Sequence, residues 1–374
     1  MLRNTLGRIV GCMLLMWGSN AVAFTLIVPE EQIKPSSSVT TATTLEPQVQ
    51  TIAGSIRTQL RTHLRPKGAQ RSAQAGRTVL AASSFASALS DVDYFAAAGA
   101  SGAGGGNGAD AAGDTDSLWI SGTASSLENT FSRTAFHGTT NNLLAGFDLA
   151  RSNTYVMGLS LGYEASNFST TFNVGDERTR GYNVNPYFAL LLTDTWSVDL
   201  ILGYGDFNTR QSRTLGSLTV PLATDVIASE FSSRRGFVSA NLTHVSTLGD
   251  WKLTGALGAL ASKREQDAYL ESNGNAVPAA ETSTVEQYNL LLEAAYGRGG
   301  SEAFLGALYE NTRDPQQVQF ATGPQPANDP DSVMLAAGWR HFGRGLTASF
   351  VFNTRLDQDD VKEYGFSMLL RFDL

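Results

Sequence analysis

Four histidines, His63, His137, His244 and His341, are the side chains of this 374-residue chain best placed to move protons near neutral pH. A histidine becomes a hydrolytic base only with a nucleophile in hydrogen-bond reach and a third group to orient it. His244 stands near Thr243 and Ser246 at the end of an apolar run, and His137 falls in a short loop between runs. Neither spacing builds a triad, and the chain has no Gly-x-Ser-x-Gly or His-Glu-x-x-His motif. Residues 101–113 are glycine-rich but lack the Lys-Ser/Thr of a phosphate loop. Cys12 is the single cysteine, so disulfides and cysteine-ligated metals are excluded. The expectation is a protein with no catalytic residues, no metal and no cofactor.

The remaining chemistry is charge, and it is unevenly distributed. The chain sums to −8, which argues against nucleic acid as a partner. Residues 47–90 carry Arg57, Arg61, Arg65, Lys67, Arg71 and Arg77 with no Asp or Glu, whereas residues 117–374 hold 18 Lys/Arg against 27 Asp/Glu. Within that acidic part, Glu164, Asp199, Glu293, Glu310, Arg340 and Arg371 sit on the polar side of alternating apolar runs. A cationic segment beside an anionic, closed wall could lie inside it. The other reading is a solvated basic tether.

Those runs are the elements that must position the charges. The chain ends with Tyr364, Phe366, Met368, Leu370, Phe372 and Leu374, spaced by Gly365, Ser367, Arg371 and Asp373, with Leu369 the exception. A two-residue period marks a strand with one apolar and one polar face. The pattern predicts twelve strands, near 118–133, 142–150, 155–172, 177–192, 196–213, 231–247, 251–268, 284–296, 302–313, 332–342, 346–355 and 362–374. Tyr155, Met157, Leu159, Leu161 and Tyr163 alternate with Val156, Gly158, Ser160, Gly162 and Glu164, and aromatic residues bracket several such runs. Every second connection is tiny: 151–153, 194–195, 248–250, 297–300 and 343–345. Residues 214–230, 269–283 and 314–331 are long. This parity predicts an antiparallel transmembrane β-barrel with both ends on the periplasmic side. A mean hydropathy of −0.11 is compatible, since half of each strand faces water.

Ahead of the barrel, Arg3 and Arg8, an apolar Ile9–Trp17 and Ala21-Val22-Ala23 read as a signal peptide (residues 1–23) directing Sec export. Lipidation at Cys12, after Ile9-Val10-Gly11, is the rival reading. Residues 24–100 form a short extension. Its residues 35–44 are expected to be disordered. Val49, Ile52, Ile56, Leu60 and Leu64 have helical spacing, with Pro47 as a first-turn residue and Pro66 as a stop. A second helix is possible over Thr78–Ala98. Residues 101–116 are a flexible linker.

Residues 117–374 resemble the C-terminal β-domain of autotransporters, the type V secretion family. The resemblance rests on Leu144-Ala145-Gly146-Phe147-Asp148-Leu149, on Val156-Met157-Gly158-Leu159-Ser160-Leu161-Gly162-Tyr163, on Arg180-Gly181-Tyr182-Asn183-Val184-Asn185-Pro186-Tyr187, and on the final Tyr-x-Phe-x-Met-x-Leu-x-Phe strand. It implies a twelve-stranded outer-membrane barrel of a Gram-negative bacterium that translocates or anchors its own N-terminal segment. It also implies a helix threading the pore, and dependence on periplasmic chaperones and the β-barrel assembly machinery, which reads the last strand. The family's assembly signal usually ends in an aromatic residue, whereas this chain ends in Leu374. Some members cleave at an Asn pair; Asn141-Asn142 here falls between the first two predicted strands, so that role is not carried over. The expected partners are outer-membrane lipid and the assembly factors, with the barrel a monomer. A stand-alone structural or adhesive barrel with a periplasmic tether, and a diffusion channel, are the alternatives.

Overall fold

Alternation along each strand sends every second side chain outward, and the outward ones are apolar. The computed structural model describes residues 27–28, 36–63, 117–149, 154–214, 226–313, 319–320, 323–327, 329–343, 345–356 and 358–374. Twelve strands follow one another: β1 (Ser117–Asn129), β2 (Phe136–Asp148), β3 (Tyr155–Thr170), β4 (Gly175–Leu191), β5 (Trp196–Thr214), β6 (Val226–Leu248), β7 (Trp251–Gln266), β8 (Ala280–Arg298), β9 (Ser301–Arg313), β10 (Asp331–Phe342), β11 (Leu346–Leu356) and β12 (Val361–Asp373). Each pairs antiparallel with the next, and β12 returns to β1, with Asp373 opposite Ser117 and Val361 opposite Asn129. The sheet is therefore a closed barrel with no free edge.

All twelve predicted strands are present, and several run further than expected. β6 begins at Val226 and β8 at Ala280, inside stretches read as loops. The second strand starts at Phe136, so His137 and Asn141-Asn142 lie within β2 rather than between strands. The short–long parity is looser than expected. At the turn end, residues 192–195, 249–250 and 299–300 connect strands, but at the opposite loop end residues 171–174 and 357–360 are equally short hairpins. Short connections suffice wherever adjacent strands end level, so length alone does not mark the side.

The two faces have opposite chemistry. Outward, Leu159 and Leu161 are exposed, the latter by 62%, and Tyr163 packs on Tyr182 with ring centroids 5.3 Å apart. At the turn end Trp251 meets Tyr296 at 5.3 Å and Trp196 meets His244 at 4.6 Å. Apolar bands edged by aromatic rings are the surface that hydrocarbon and its interfaces require. Inward, six aromatic side chains lie flat over a glycine directly opposite on the next strand. These are Trp119 over Gly146, Tyr187 over Gly158, Phe168 over Gly138, Phe207 over Gly181, Phe237 over Gly203 and Phe304 over Gly338. At Gly146 an added Cβ would overlap the Trp119 ring. The missing side chain is what lets each ring hug the wall and leave the centre clear.

The centre is filled by one helix, α1 (Ser36–His63). Residues 36–44, expected to be disordered, are its first turns, and Pro47 lies inside it rather than in its first turn. Ser and Thr are weak helix formers because their hydroxyls compete for the backbone. Here Thr40 Oγ1 donates to the Ser36 carbonyl at 3.1 Å and Thr51 Oγ1 to that of Pro47 at 2.8 Å. The barrel wall supplies the rest of the support, as composition alone could not show. The signal peptide, Leu64, Arg65, Pro66, Lys67, Arg71, Arg77, the Thr78–Ala98 stretch and the linker lie outside the described residues. Two short segments complete the fold at the loop end. Ile27–Val28 pairs in parallel with Gln319–Phe320, and Tyr269–Leu270 forms a hairpin with Ala276–Val277.

If lipid bathes the outward face, Leu159→Arg should destabilise the folded barrel by about 2–4 kcal/mol in bilayers. Urea titration of the heat-modifiable gel band checks this. An unchanged midpoint would mean that Leu159 faces water.

Candidate functional site

The lumen is the site, and three features of α1 fit it there. Its apolar stripe, Leu45, Val49, Ile52, Ile56 and Leu60 at steps of three and four residues, is fully buried. The stripe meets an inward apolar strip made of Trp119, Leu144, Val156, Ile201 and Phe237. Leu369, the exception to the alternation of the last strand, belongs to the same cluster and is 2% exposed. The 28-residue helix spans about 42 Å at the usual rise, enough to run the length of the barrel.

Polar contacts then tie the helix along its length. At the loop end Ser36 Oγ lies 3.1 Å from Thr170 Oγ1, and the Ser37 N–H donates to Gln211 Oε1 at 3.0 Å. Thr40 Oγ1 donates to Glu177, and Arg264 donates to Thr41 Oγ1 at 3.1 Å. Midway, Arg235 grips Glu164 through both guanidinium nitrogens, at 2.6 and 3.3 Å, and donates to Gln48 of the helix at 2.8 Å. Glu46 accepts from Gln287 at 2.7 Å and from Thr312 at 3.0 Å. At the turn end Gln59 donates to Asp148, which Ser117 and Tyr187 also hold. The helix therefore runs from the loop end at Ser36 to the turn end at His63. Val39, Leu127, Phe136 and Phe168 close the loop end around its first turns.

The six charges singled out on the strands all lie inside. Glu164 pairs with Arg235. Asp199 accepts from Asn241 at 2.9 Å and faces Arg57 of the helix at 3.8 Å. Glu293 and Glu302 clasp Arg340 at 2.7 and 3.0 Å, and Lys252 reaches Glu302 at 3.0 Å. Glu310 and Glu363 clasp Arg355 at 2.7 and 2.8 Å. Arg371 reaches Asp373 at 2.9 Å. Of the basic segment, Arg57 and Arg61 line a lumenal cavity of about 200 Å³ between α1 and the wall formed by β6–β12 and β1. Sequence reasoning passed over Glu46, Gln48, Arg235, Arg264 and Arg355. Inward parity marks the three arginines, since Arg235 and Arg264 sit between inward Ser233 and Phe237 and inward Ser262 and Gln266.

Among the described side chains, His137, His244 and His341 lie apart from one another. His244 lies against Trp196, and His137 faces outward on β2. His341 Nδ1 is 3.0 Å from Ser301 Oγ, its ring stacked on Trp339, with no carboxylate partner among the described residues. Among the described residues no cluster of three or more His, Cys, Asp or Glu side chains could hold a metal ion.

The barrel strands are matched by sequence as well. The autotransporter β-domain family model covers residues 118–351. The chain belongs to that family. No curated protein matches it in sequence. In fold it is similar to the translocator domain of the autotransporter NalP from Neisseria meningitidis, at 12% identity and a TM-score of 0.58 over 70% of this chain and 89% of that one. It is also similar to the β-domain of the Bordetella autotransporter BrkA, at 16% identity and a TM-score of 0.56, over 70% of this chain and all of that one. The protein is an autotransporter-type barrel of the Gram-negative outer membrane.

Removing one partner of a buried ion pair leaves the other charge without compensation, at a cost of about 3–5 kcal/mol. Arg235→Ala, which strands Glu164 at 1% exposure and frees Gln48, should lower the urea midpoint of the folded band accordingly. Replacing both partners, by Glu164→Met with Arg235→Leu, should recover much of that loss.

Proposed function

We propose that the barrel translocates and then anchors its own N-terminal segment, with α1 as the stationary plug left at the end of transport. The observation that carries this is the polarity of the helix. Its N-terminus emerges at the loop end, where Ile27–Val28 joins Gln319–Phe320 in the longest loop. Phe320 is fixed there by Phe131, at 6.2 Å, and by Arg133, whose guanidinium lies 3.8 Å over its ring. Loops face the exterior and turns the periplasm in barrels of this kind, so the first turn of α1 and the Ile27–Val28 strand are presented outside.

The other end supports the same arrangement. His63 and Ser117, which flank residues 64–116, both lie at the turn end. Arg57 and Arg61 occupy the lumen, as the plug reading required, whereas Arg65, Lys67, Arg71 and Arg77 lie outside the described residues. Sec export by residues 1–23 brings the chain to the periplasm. Chaperones and the barrel assembly machinery then insert it as a monomer in outer-membrane lipid, reading the strand Tyr364, Phe366, Met368, Leu370, Phe372, Leu374. No nucleic acid takes part.

A twelve-strand barrel is wider than the eight-strand barrels that side chains alone can fill, so an empty one would conduct. The full-length protein in a planar bilayer should show at most small, brief openings. Deletion of Ser36–His63 should raise conductance by about an order of magnitude or more. Equal conductance would favour a diffusion channel. On intact cells, an epitope placed before Ser36 should be removed by external protease, and one placed near residue 90 should survive. The reverse outcome would overturn the orientation.

A further inference from the structure

Above the upper aromatic ring, the outward face of β4 turns from apolar to cationic at Arg180 and Arg178, while that of β5 carries Asp206, Asn208 and Arg210. Tyr163, Tyr182 and Tyr204 mark the ring; Tyr182 is 68% exposed and Tyr204 50%. Two residues beyond Tyr182 comes Arg180 and four beyond it Arg178, about 7 and 14 Å further along the strand. Both are exposed. Arg178 stands directly opposite Arg210 on β5, and like charges directly opposed across a ladder repel. On the other flank Arg178 and Arg180 oppose only Asn167 and Ala165 of β3.

Three of the nearby acids are engaged, and a fourth, Asp206, lines the same groove as Arg180 without an ion pair to it. Glu230 pairs with Arg210 at 3.0 Å, Asp267 with Arg234 at 3.0 Å, and Asp176 accepts from Ser169 at 2.9 Å. Neither Arg178 nor Arg180 has an ion-pair partner among the described residues. The two form a ridge between two surface grooves. One, of about 660 Å³, is lined by Tyr163, Tyr182, Asp206, Asn208 and Ser232. The other, of about 380 Å³, is lined by His137, Thr139, Asn167, Ser169 and the exposed Asp176.

We propose that Arg178 and Arg180, with Arg210 beside them, bind the phosphate groups of the glycolipid that forms the outer leaflet, through its lipid A headgroup. This rests on the orientation given above, which places the patch in the outer leaflet. The apolar band below the tyrosines takes the acyl chains, the tyrosines take the interface, and the guanidinium forks meet phosphate where the headgroups lie. A phosphate dianion would also relieve the repulsion between Arg178 and Arg210. The serine and asparagine side chains of the grooves offer hydrogen bonds to sugar hydroxyls.

The test uses the full-length protein folded in detergent and loaded with bisphosphoryl lipid A. Lipid retained per barrel is measured after gradient separation. Parent protein is compared with Arg178→Gln/Arg180→Gln, and dephosphorylated lipid A with the phosphorylated form. Each arginine at an anionic lipid surface contributes about fivefold in affinity, so the double variant should retain about thirtyfold less. Dephosphorylated lipid should show no difference between parent and variant. Retention within about threefold of the parent overturns the proposal, as does displacement of lipid A by inorganic phosphate at equal concentration. Heat-modifiable mobility is read on the same samples. A barrel that remains folded while retention is unchanged rejects the headgroup site alone, whereas a barrel that never folds in lipid rejects the membrane reading beneath it.

Discussion

Hydrocarbon offers no partner to a backbone N–H or C=O, and the rest of this structure depends on that constraint. A sheet in lipid must pair every strand on both sides, and the only sheet that does so is a closed one. The pairing of β12 with β1 meets the condition. Closure makes a circumference, and twelve strands make one too wide for side chains alone to fill. The same requirement that shapes the wall thus creates the cavity that α1 occupies.

Filling that cavity solves a second problem. Charges on the inner face, such as Glu164, Arg235, Glu310 and Arg355, are nearly removed from solvent, and an isolated buried charge is unfavourable by several kcal/mol. Each is compensated by an opposite charge on another strand or by a polar group of the helix, as Arg235 is by Glu164 and Gln48. The helix combines an apolar stripe against β1–β6 with polar groups directed at the inward charges. Its seat is specified by direction as well as by contact, because Gln59 can reach Asp148 only when the C-terminal end lies at the turns.

The strands were legible because lipid enforces a period of two over long stretches. The outward Tyr155–Tyr163 series and the C-terminal Tyr364–Leu374 series declare themselves residue by residue. Parity also carries the inward set, from Glu164 to Arg371. What stayed illegible depended on contacts between distant parts of the chain. Ser36–Thr44 has the composition of a disordered tract, and it is helical because Thr170, Gln211, Glu177 and Arg264 line its path. Pro47 reads locally as a helix start, yet the wall carries the helix through it. Leu369 looked like a fault in an alternating pattern, and it is the inward contact of its strand with the helix cluster.

The six rings laid over opposing glycines tie together residues far apart in the chain. At Gly146 or Gly203 any side chain collides with the ring across the ladder, whereas loss of the ring at Trp119 or Phe237 opens a void beside the helix. Neither member of a pair can drift by itself. As related barrels diverge, such positions should change jointly or not at all, a covariation written into the thickness of the wall rather than into any binding surface.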